Sequence, residues 1–303
     1  MNYLFDTNFY RKLATLTPIK QEKILQQIDE KKTIGDEFLF SSIVSTELLK
    51  HFLPEDPALN NCFKALKLKI RICSNSRNSA PEFTELFSYY FLGKKSPLTI
   101  YNQNLQIISN NIAKLKDTSD LISFKNEIEQ VIKVQKNELA NIINNLENDF
   151  LKGIKESAEP FEIFKKDKKL RREFTGLIRD GFFHYLFTCA LYKKVKPDLL
   201  LEEINMNIIH KALNDFIVST DFFITQVLKK LIDIQKTDYI KYPETDKKKR
   251  WNSFYDTQLI MAVEFENLRG RPTKLVTGDI DVINTFKIHK KDNYFISADE
   301  FIN

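Results

Sequence analysis

The run Tyr3-Leu4-Phe5-Asp6-Thr7-Asn8 decides how this chain is read. Three apolar residues followed at once by three polar ones form the pattern of a short buried strand that ends in a polar loop. Behind Thr17-Pro18, the spacing of Ile24, Leu25 and Ile28 predicts a helix over residues 20–31. Phe38-Leu39-Phe40 repeats the buried-strand pattern. Ser41 or Ser42 then stands where a helix cap is needed, before a helix carrying Ile43, Val44, Leu48, Leu49 and Phe52. Pro54 and Pro57 close that region. At the far end, Phe254 to Leu268 reads as a helix that buries Leu259, Ile260, Val263 and Phe265, and Gly270-Arg271-Pro272 stops it. Leu275-Val276-Thr277 and Tyr294-Phe295-Ile296 are a third and a fourth strand. Strands alternating with helices predict an α/β fold with a parallel central sheet covered on both faces.

Between the two ends, over residues 81–245, the texture changes. Asn104–Lys116, Ile122–Phe150 and Asp198–Lys236 carry apolar residues at helical spacing, with Lys, Asn and Glu on the opposite face. Strand-like segments are scarce there. Neither end alone has enough strands to close a core, so the middle reads as a long all-α insertion between residues 1–80 and 246–303. No repeat period or low-complexity linker separates the parts. The densest basic runs are Lys165–Arg172 and Lys247–Arg250, and the ordinary reading of such runs is a solvated helix face or loop.

Composition narrows the class further. A chain of 303 residues with 25 Phe and 11 Tyr can bury a sizeable core, which excludes wholesale disorder. Seven Gly and nine Pro are few for an all-β protein, which needs frequent turns. The net charge of +5 permits a nucleic-acid partner without requiring one. Cys62, Cys73 and Cys189 cannot all pair and lie in no CxxC, which favours a reducing, cytoplasmic setting over a disulfide framework. Asp6 and Arg11 interrupt the N-terminus too early for a signal peptide. Gly181–Tyr192 is too short to span a bilayer and reads as a buried helix, so no membrane partner is expected.

The acidic residues fall where chemistry collects in such folds, beyond the carboxyl ends of the strands. Asp6 follows the first strand, Asp279 follows the third, and Asp281 comes two residues later. Glu47 lies about a turn into the helix after the second strand, and Asp256 near the start of the helix leading to the third. Two carboxylates 5 Å apart repel by roughly 3 kcal/mol at an effective dielectric near 20. A cluster held despite that repulsion suits a hard divalent cation, and oxygen ligands point to magnesium. Such an ion activates water and neutralises charge on a phosphodiester, so the chemistry expected is phosphodiester hydrolysis. Each acid also has an ordinary explanation. Asp6 and Asp279 suit turns, Thr7 and Asn8 suit a helix cap, Glu47 suits a surface, and Asp256 suits the positive end of a helix. Four such acids in order along one alternating fold are harder to explain singly.

Leu4-Phe5-Asp6-Thr7-Asn8, Ser42-Ile43-Val44-Ser45-Thr46-Glu47-Leu48-Leu49, Tyr255-Asp256-Thr257-Gln258-Leu259-Ile260-Met261-Ala262 and Leu275-Val276-Thr277-Gly278-Asp279 resemble the four signature segments of PIN-domain nucleases, in the family's order. Tyr294–Phe301 resembles the family's last strand and helix. The resemblance spans residues 1–60 and 250–303 and departs from the family in the long insertion. It implies a three-layer αβα domain and a Mg²⁺- or Mn²⁺-dependent endoribonuclease, with Asp6, Glu47, Asp256 and Asp279 as the catalytic acids. Asp6, Asp256, Asp279 and Asp281 would hold metal. Thr7 and Asn8 would orient the first aspartate or its water, with Ser42 and Asn252 as polar neighbours. The family includes toxins with inhibitory partners, RNA-processing enzymes and inactive relatives, and the presence of all four acids here argues against the inactive group.

Other chemistries fit less well. No GxSxG or GxGxxG occurs, and His51, His184, His210 and His289 lack metal-ligand spacing. Gly176 and Gly181 have phosphate-loop spacing, but Phe182-Phe183 follow where Lys-Ser/Thr is required. An aspartyl-phosphatase of the haloacid dehalogenase type needs a second aspartate where Asn8 stands. Two further readings stay open. The insertion can be the functional surface of an RNA-binding or protein-interaction module, or it can gate the nuclease as in a toxin or antiphage effector. RNA is the expected substrate, and single-stranded DNA, a regulatory protein partner and a homo-oligomer are compatible with the sequence.

Overall fold

The computed structural model describes residues 1–73, 79–94, 100–131, 133–134, 168–196, 205–229 and 244–302. They divide into two compact units, one made of Met1–Gln135 and Leu259–Asn303, the other of Lys136–Gln258. The first holds one sheet of four strands, β1 (Asn2–Phe5), β2 (Glu37–Leu39), β3 (Thr273–Thr277) and β4 (Phe295–Ser297). Their order is β2-β1-β3-β4, and every neighbouring pair is parallel. The chain therefore steps to one side of β1, then returns to its other side. That places a reversal of strand order between β1 and β3, the position where open α/β sheets form a crevice.

The register follows the apolar runs. Leu4 pairs with Leu39 and Leu275, Phe5 with Val276, and Val276 with Ile296. Leu4, Phe5, Leu39, Leu275 and Val276 are buried, as a parallel sheet covered on both faces requires, while Ile296 on the edge strand is half-buried. Phe5 stacks on Phe9 at 4.1 Å between ring centroids and meets Phe38 at 5.6 Å and Phe301 at 5.1 Å. One aromatic cluster thus joins β1 and β2 to α1 (Thr7–Thr15) and to a helix at the chain's end.

Helix α2 (Pro18–Thr33) starts earlier than the expected residue 20 because Pro18 already has helical geometry at the first position. Ser41, rather than Ser42, caps α3 (Ser42–Leu49), accepting from the Val44 amide. Phe40 falls just outside β2 and forms an isolated parallel bridge with Ser79. Helices α4 (Leu59–Ile72), α5 (Phe83–Leu92) and α6 (Ile100–Ala113) continue the first unit beyond residue 80, with α4 packed on α1, α3 and α6.

Among its described residues the second unit is helical, with α7 (Lys168–Arg179), α8 (Phe182–Val195), α9 (Met206–Asp215) and α10 (Ile217–Phe223). Phe187 stacks on Phe223 at 4.2 Å. The stretch read as a buried helix is only partly buried, because Phe182 and Leu186 face solvent while Phe183, Phe187 and Leu191 turn inward. Residues 135–150, 165–167, 198–204 and 230–236 of the expected helical and basic stretches lie outside the described residues. Among the described residues no helix is long and apolar enough to cross a membrane, and all three cysteines are free.

Helix α11 (Glu244–Leu268) is ten residues longer at its start than the Phe254 beginning read from the sequence. The Lys- and Arg-rich residues before Phe254 propagate the helix well, so the apolar pattern marks only its buried part. Gly270 then turns the chain with φ of 71°, a conformation that suits a residue without Cβ. Helix α12 (Ile280–Ile288) links β3 to β4, and α13 (Ala298–Ile302) ends the first unit. The fourth strand begins at Phe295 instead of Tyr294, because Asp292–Tyr294 forms a single 3₁₀ turn.

Candidate active site

At the carboxyl end of β1, Asp6 continues the ladder for one more bond, its amide donating to the Val276 carbonyl at 3.1 Å. Its φ and ψ remain extended, and it becomes the N-cap of α1, with Oδ1 accepting from the Phe9 amide at 2.6 Å. Oδ2 accepts from the Thr277 hydroxyl at 2.6 Å and from the Gly278 amide at 3.3 Å. The side chain is held by the end of β3 and the first turn of α1, and the residue is only 3% exposed. Burial pushes its pKa up to about 6; the Thr277, Phe9 and Gly278 hydrogen bonds pull the other way, and the Glu47 charge adds to the rise.

Glu47 reaches the same place from α3. The Thr7 hydroxyl, on the residue after Asp6, donates to its Oε2, and Lys50 Nζ lies 3.8 Å from Oε1. Burial raises its proton affinity too, against the opposing pull of Lys50, Thr7, His51 and Arg11. Two buried carboxyls are thus joined through Thr7, a link of 40 positions in sequence.

Asp279 is close along the chain but differently employed. Its amide donates to the Thr277 hydroxyl oxygen at 3.0 Å, while its Oδ1 caps α12 by accepting from the Asp281 and Val282 amides at 2.8 and 3.0 Å. Asp281 is exposed in the first turn of α12. Asn8 is exposed in the first turn of α1, so Asp6 itself is the cap that Thr7 and Asn8 were expected to supply. Asp256 lies in the middle of the 25-residue α11, not near its start, on the part belonging to the second unit. Its ordinary explanation, an acid answering a helix N-terminus, therefore falls away. Asn252 is exposed one turn earlier on the same helix.

Ser42 is buried, and its hydroxyl donates to the carboxylate of Glu82. Glu82 was not singled out from the sequence, because the Phe40–Ser79 bridge that carries residues 79–82 alongside β2 has no apolar run to announce it. Thr277 was also missed as a site residue. Its signal was its position as the polar residue that closes the apolar pair Leu275-Val276 at the end of a strand.

The donors gathered around Asp6 and Glu47 are carboxylate oxygens, the type that magnesium and manganese prefer. They fit such an ion in kind, since a cation would offset the mutual repulsion that helps to raise Asp6. Among the described residues no group of three or more His, Cys, Asp or Glu side chains comes together closely enough to hold a metal. Comparisons with protein-family models, with curated proteins and with solved structures find no match to this chain.

Proposed function

We propose that this protein is a divalent-cation-dependent endoribonuclease with a PIN-like three-layer domain. The observation that carries the reading is a buried aspartate, Asp6, clamped by β1, β3 and α1 at the reversal of strand order and joined through Thr7 to a second buried acid, Glu47. A buried carboxyl whose proton affinity is raised by desolvation and a second acid, placed at such a crevice, marks a candidate functional site.

Asp6 would hold Mg²⁺ or Mn²⁺, with Asp256, Asp279 and Asp281 as further donors. When bound, the ion supplies charge neutralisation at the phosphodiester and lowers the pKa of a water. The chain's own residues do the rest. Thr277 and the Gly278 amide fix the Asp6 carboxylate, so it needs no reorientation when charge develops. Glu47, with raised proton affinity, is suited to accept a proton from the attacking water. Thr7 holds Glu47 in register with Asp6.

The test is cleavage of total RNA by the full chain in Mn²⁺, in Mg²⁺ and in EDTA, beside Asp6→Asn and Asp256→Asn. Cleavage that needs metal and is lost in both folded variants is expected. Cleavage that survives in either variant or in EDTA overturns the proposal.

One observation favours a second reading, in which the protein is an RNA-binding or protein-interaction module without catalysis. It is the share of the chain that the helical insertion, residues 81–245, takes up, which would then be the functional surface. That reading predicts RNA binding without turnover, insensitive to metal and to loss of every acid. Gating of a nuclease by its helical insertion, as in a toxin or antiphage effector, is the regulatory form of the first reading. It predicts cleavage that changes when the insertion is altered.

A further inference from the structure

Helix α4 carries Lys64, Lys67 and Arg71 at i, i+3 and i+7, a spacing that puts all three on one side. Helix α6 packs beside it and presents Asn110, with Lys114 in the turn just after its end. Between the two lies a groove of about 460 Å³ lined by Lys67, Ile70, Arg71, Asn110, Ala113 and Lys114. Half of that lining is cationic and none of it acidic.

Of the cations on this face, Lys64 and Lys114 are exposed, while Lys67 and Arg71 already have partners. Lys67 Nζ donates to the Leu115 carbonyl at 2.6 Å and sits 5.1 Å from the centre of the Phe63 ring, which fixes its ammonium without neutralising it. Arg71 meets Glu22 in a two-pronged pair at 3.1 and 3.3 Å, on the exposed rim. Asp117 also feels Lys67, although Ser119 is its main partner. Three acids, Glu22, Asp29 and Asp117, therefore act on the four cations Lys64, Lys67, Arg71 and Lys114.

We infer that this groove binds the sugar–phosphate backbone of single-stranded RNA, a role that rests on the ribonuclease reading above and names where that enzyme would grip its substrate. The chemistry selects phosphates, because Lys and Arg are their usual partners and Asn110 adds a neutral donor. No aromatic ring lines the groove, so it offers bases no stacking platform, which disfavours a free nucleotide. Lys64 to Arg71 spans about 10 Å of helix, longer than one phosphate group.

The experiment is fluorescence anisotropy of the full chain with a labelled single-stranded RNA of about 20 nucleotides, in EDTA, at salt from about 50 to 200 mM. Lys67→Gln with Lys114→Gln is expected to weaken binding at least ~10-fold and to reduce the slope of log affinity against log salt by about 1.4. Lys64→Gln with Lys114→Gln, both exposed and free of the Leu115 bond, should act in the same direction with unchanged thermal unfolding. The control pair Lys287→Gln with Lys290→Gln, away from the groove on and after α12, should leave affinity within about two-fold. Wild-type affinity and slope in the groove variants, or an equal loss in the control pair, overturns the groove. A wild-type chain that does not bind RNA overturns it too, whereas metal-dependent cleavage would then still stand by itself. Conversely, cleavage unaffected by Asp6→Asn with groove-dependent binding intact removes the nuclease reading and leaves the groove.

Discussion

Lys69 has no exposed surface, yet its ammonium is the most demanding charge to bury. It donates to the Ser45 hydroxyl at 2.6 Å and lies 3.2 Å from the centre of the Phe40 ring. Cys73, which shares a hydrogen bond with Tyr10, is the titratable group that acts on it. Burial pulls its pKa down to about 7, far below that of the unfolded chain. Between about pH 7 and pH 10 the unfolded state therefore binds the extra proton, and stability rises with pH across that window by up to ~1.4 kcal/mol per pH unit. Lys69→Met should flatten that rise and stabilise the protein more at pH 6 than at pH 10. Urea unfolding at the two pH values measures it, and a variant with an unchanged pH profile refutes it. Asp6 makes the corresponding prediction for activity. Asp6→Asn should lower RNA cleavage by at least ~100-fold, the upper end of what losing a mere outer partner of a metal ligand costs. Single-turnover rates in Mn²⁺ report the loss.

The two strands that flank the reversal, β1 and β3, are tied at their carboxyl ends by Thr277 as well as by their ladder. Its hydroxyl donates to Asp6 and accepts from the Asp279 amide, so a single side chain couples β1, α1 and the start of α12. Thr277→Val keeps the shape and removes both bonds. The cost expected is about 1–3 kcal/mol, because a buried carboxylate and an amide lose partners together. A fall in urea midpoint with an unchanged m-value would show it. An unchanged midpoint would mean that the Phe9 and Gly278 amides hold Asp6 without Thr277. Glu47 depends on a different element, α3, whose start is set by the Ser41 cap. Convergence of the acids is thus decided by how strand ends and helix starts are joined, not by any single helix.

For the molecule as a whole, binding of a cation by the folded state alone must raise its stability. Mg²⁺ or Mn²⁺ at about 100 times its dissociation constant should add about 2.7 kcal/mol, and EDTA should remove it. Asp6→Asn should lose the increment, which differential scanning fluorimetry can follow. Equal metal stabilisation in both proteins would place the ion elsewhere.

Much of this architecture was legible in the chain itself. Tyr3-Leu4-Phe5, Phe38-Leu39 and Leu275-Val276-Thr277 declare strands because burial on both faces of a parallel sheet demands short apolar runs, and Asp6 and Gly278 end two of them where backbone pairing stops. Such signals are local, so they survive in sequence. The extent of α11 was not legible, since its polar first turns carry helix propensity without an apolar stripe, and Asp256 was consequently misplaced at a helix start. The β2-β1-β3-β4 order, the grip of Thr277 on Asp6 across 271 positions and the bond from Thr7 to Glu47 belong to tertiary structure alone. No short-range preference can specify them: they form when distant segments share one core, and that burial is what raises the proton affinity of Asp6 and Glu47.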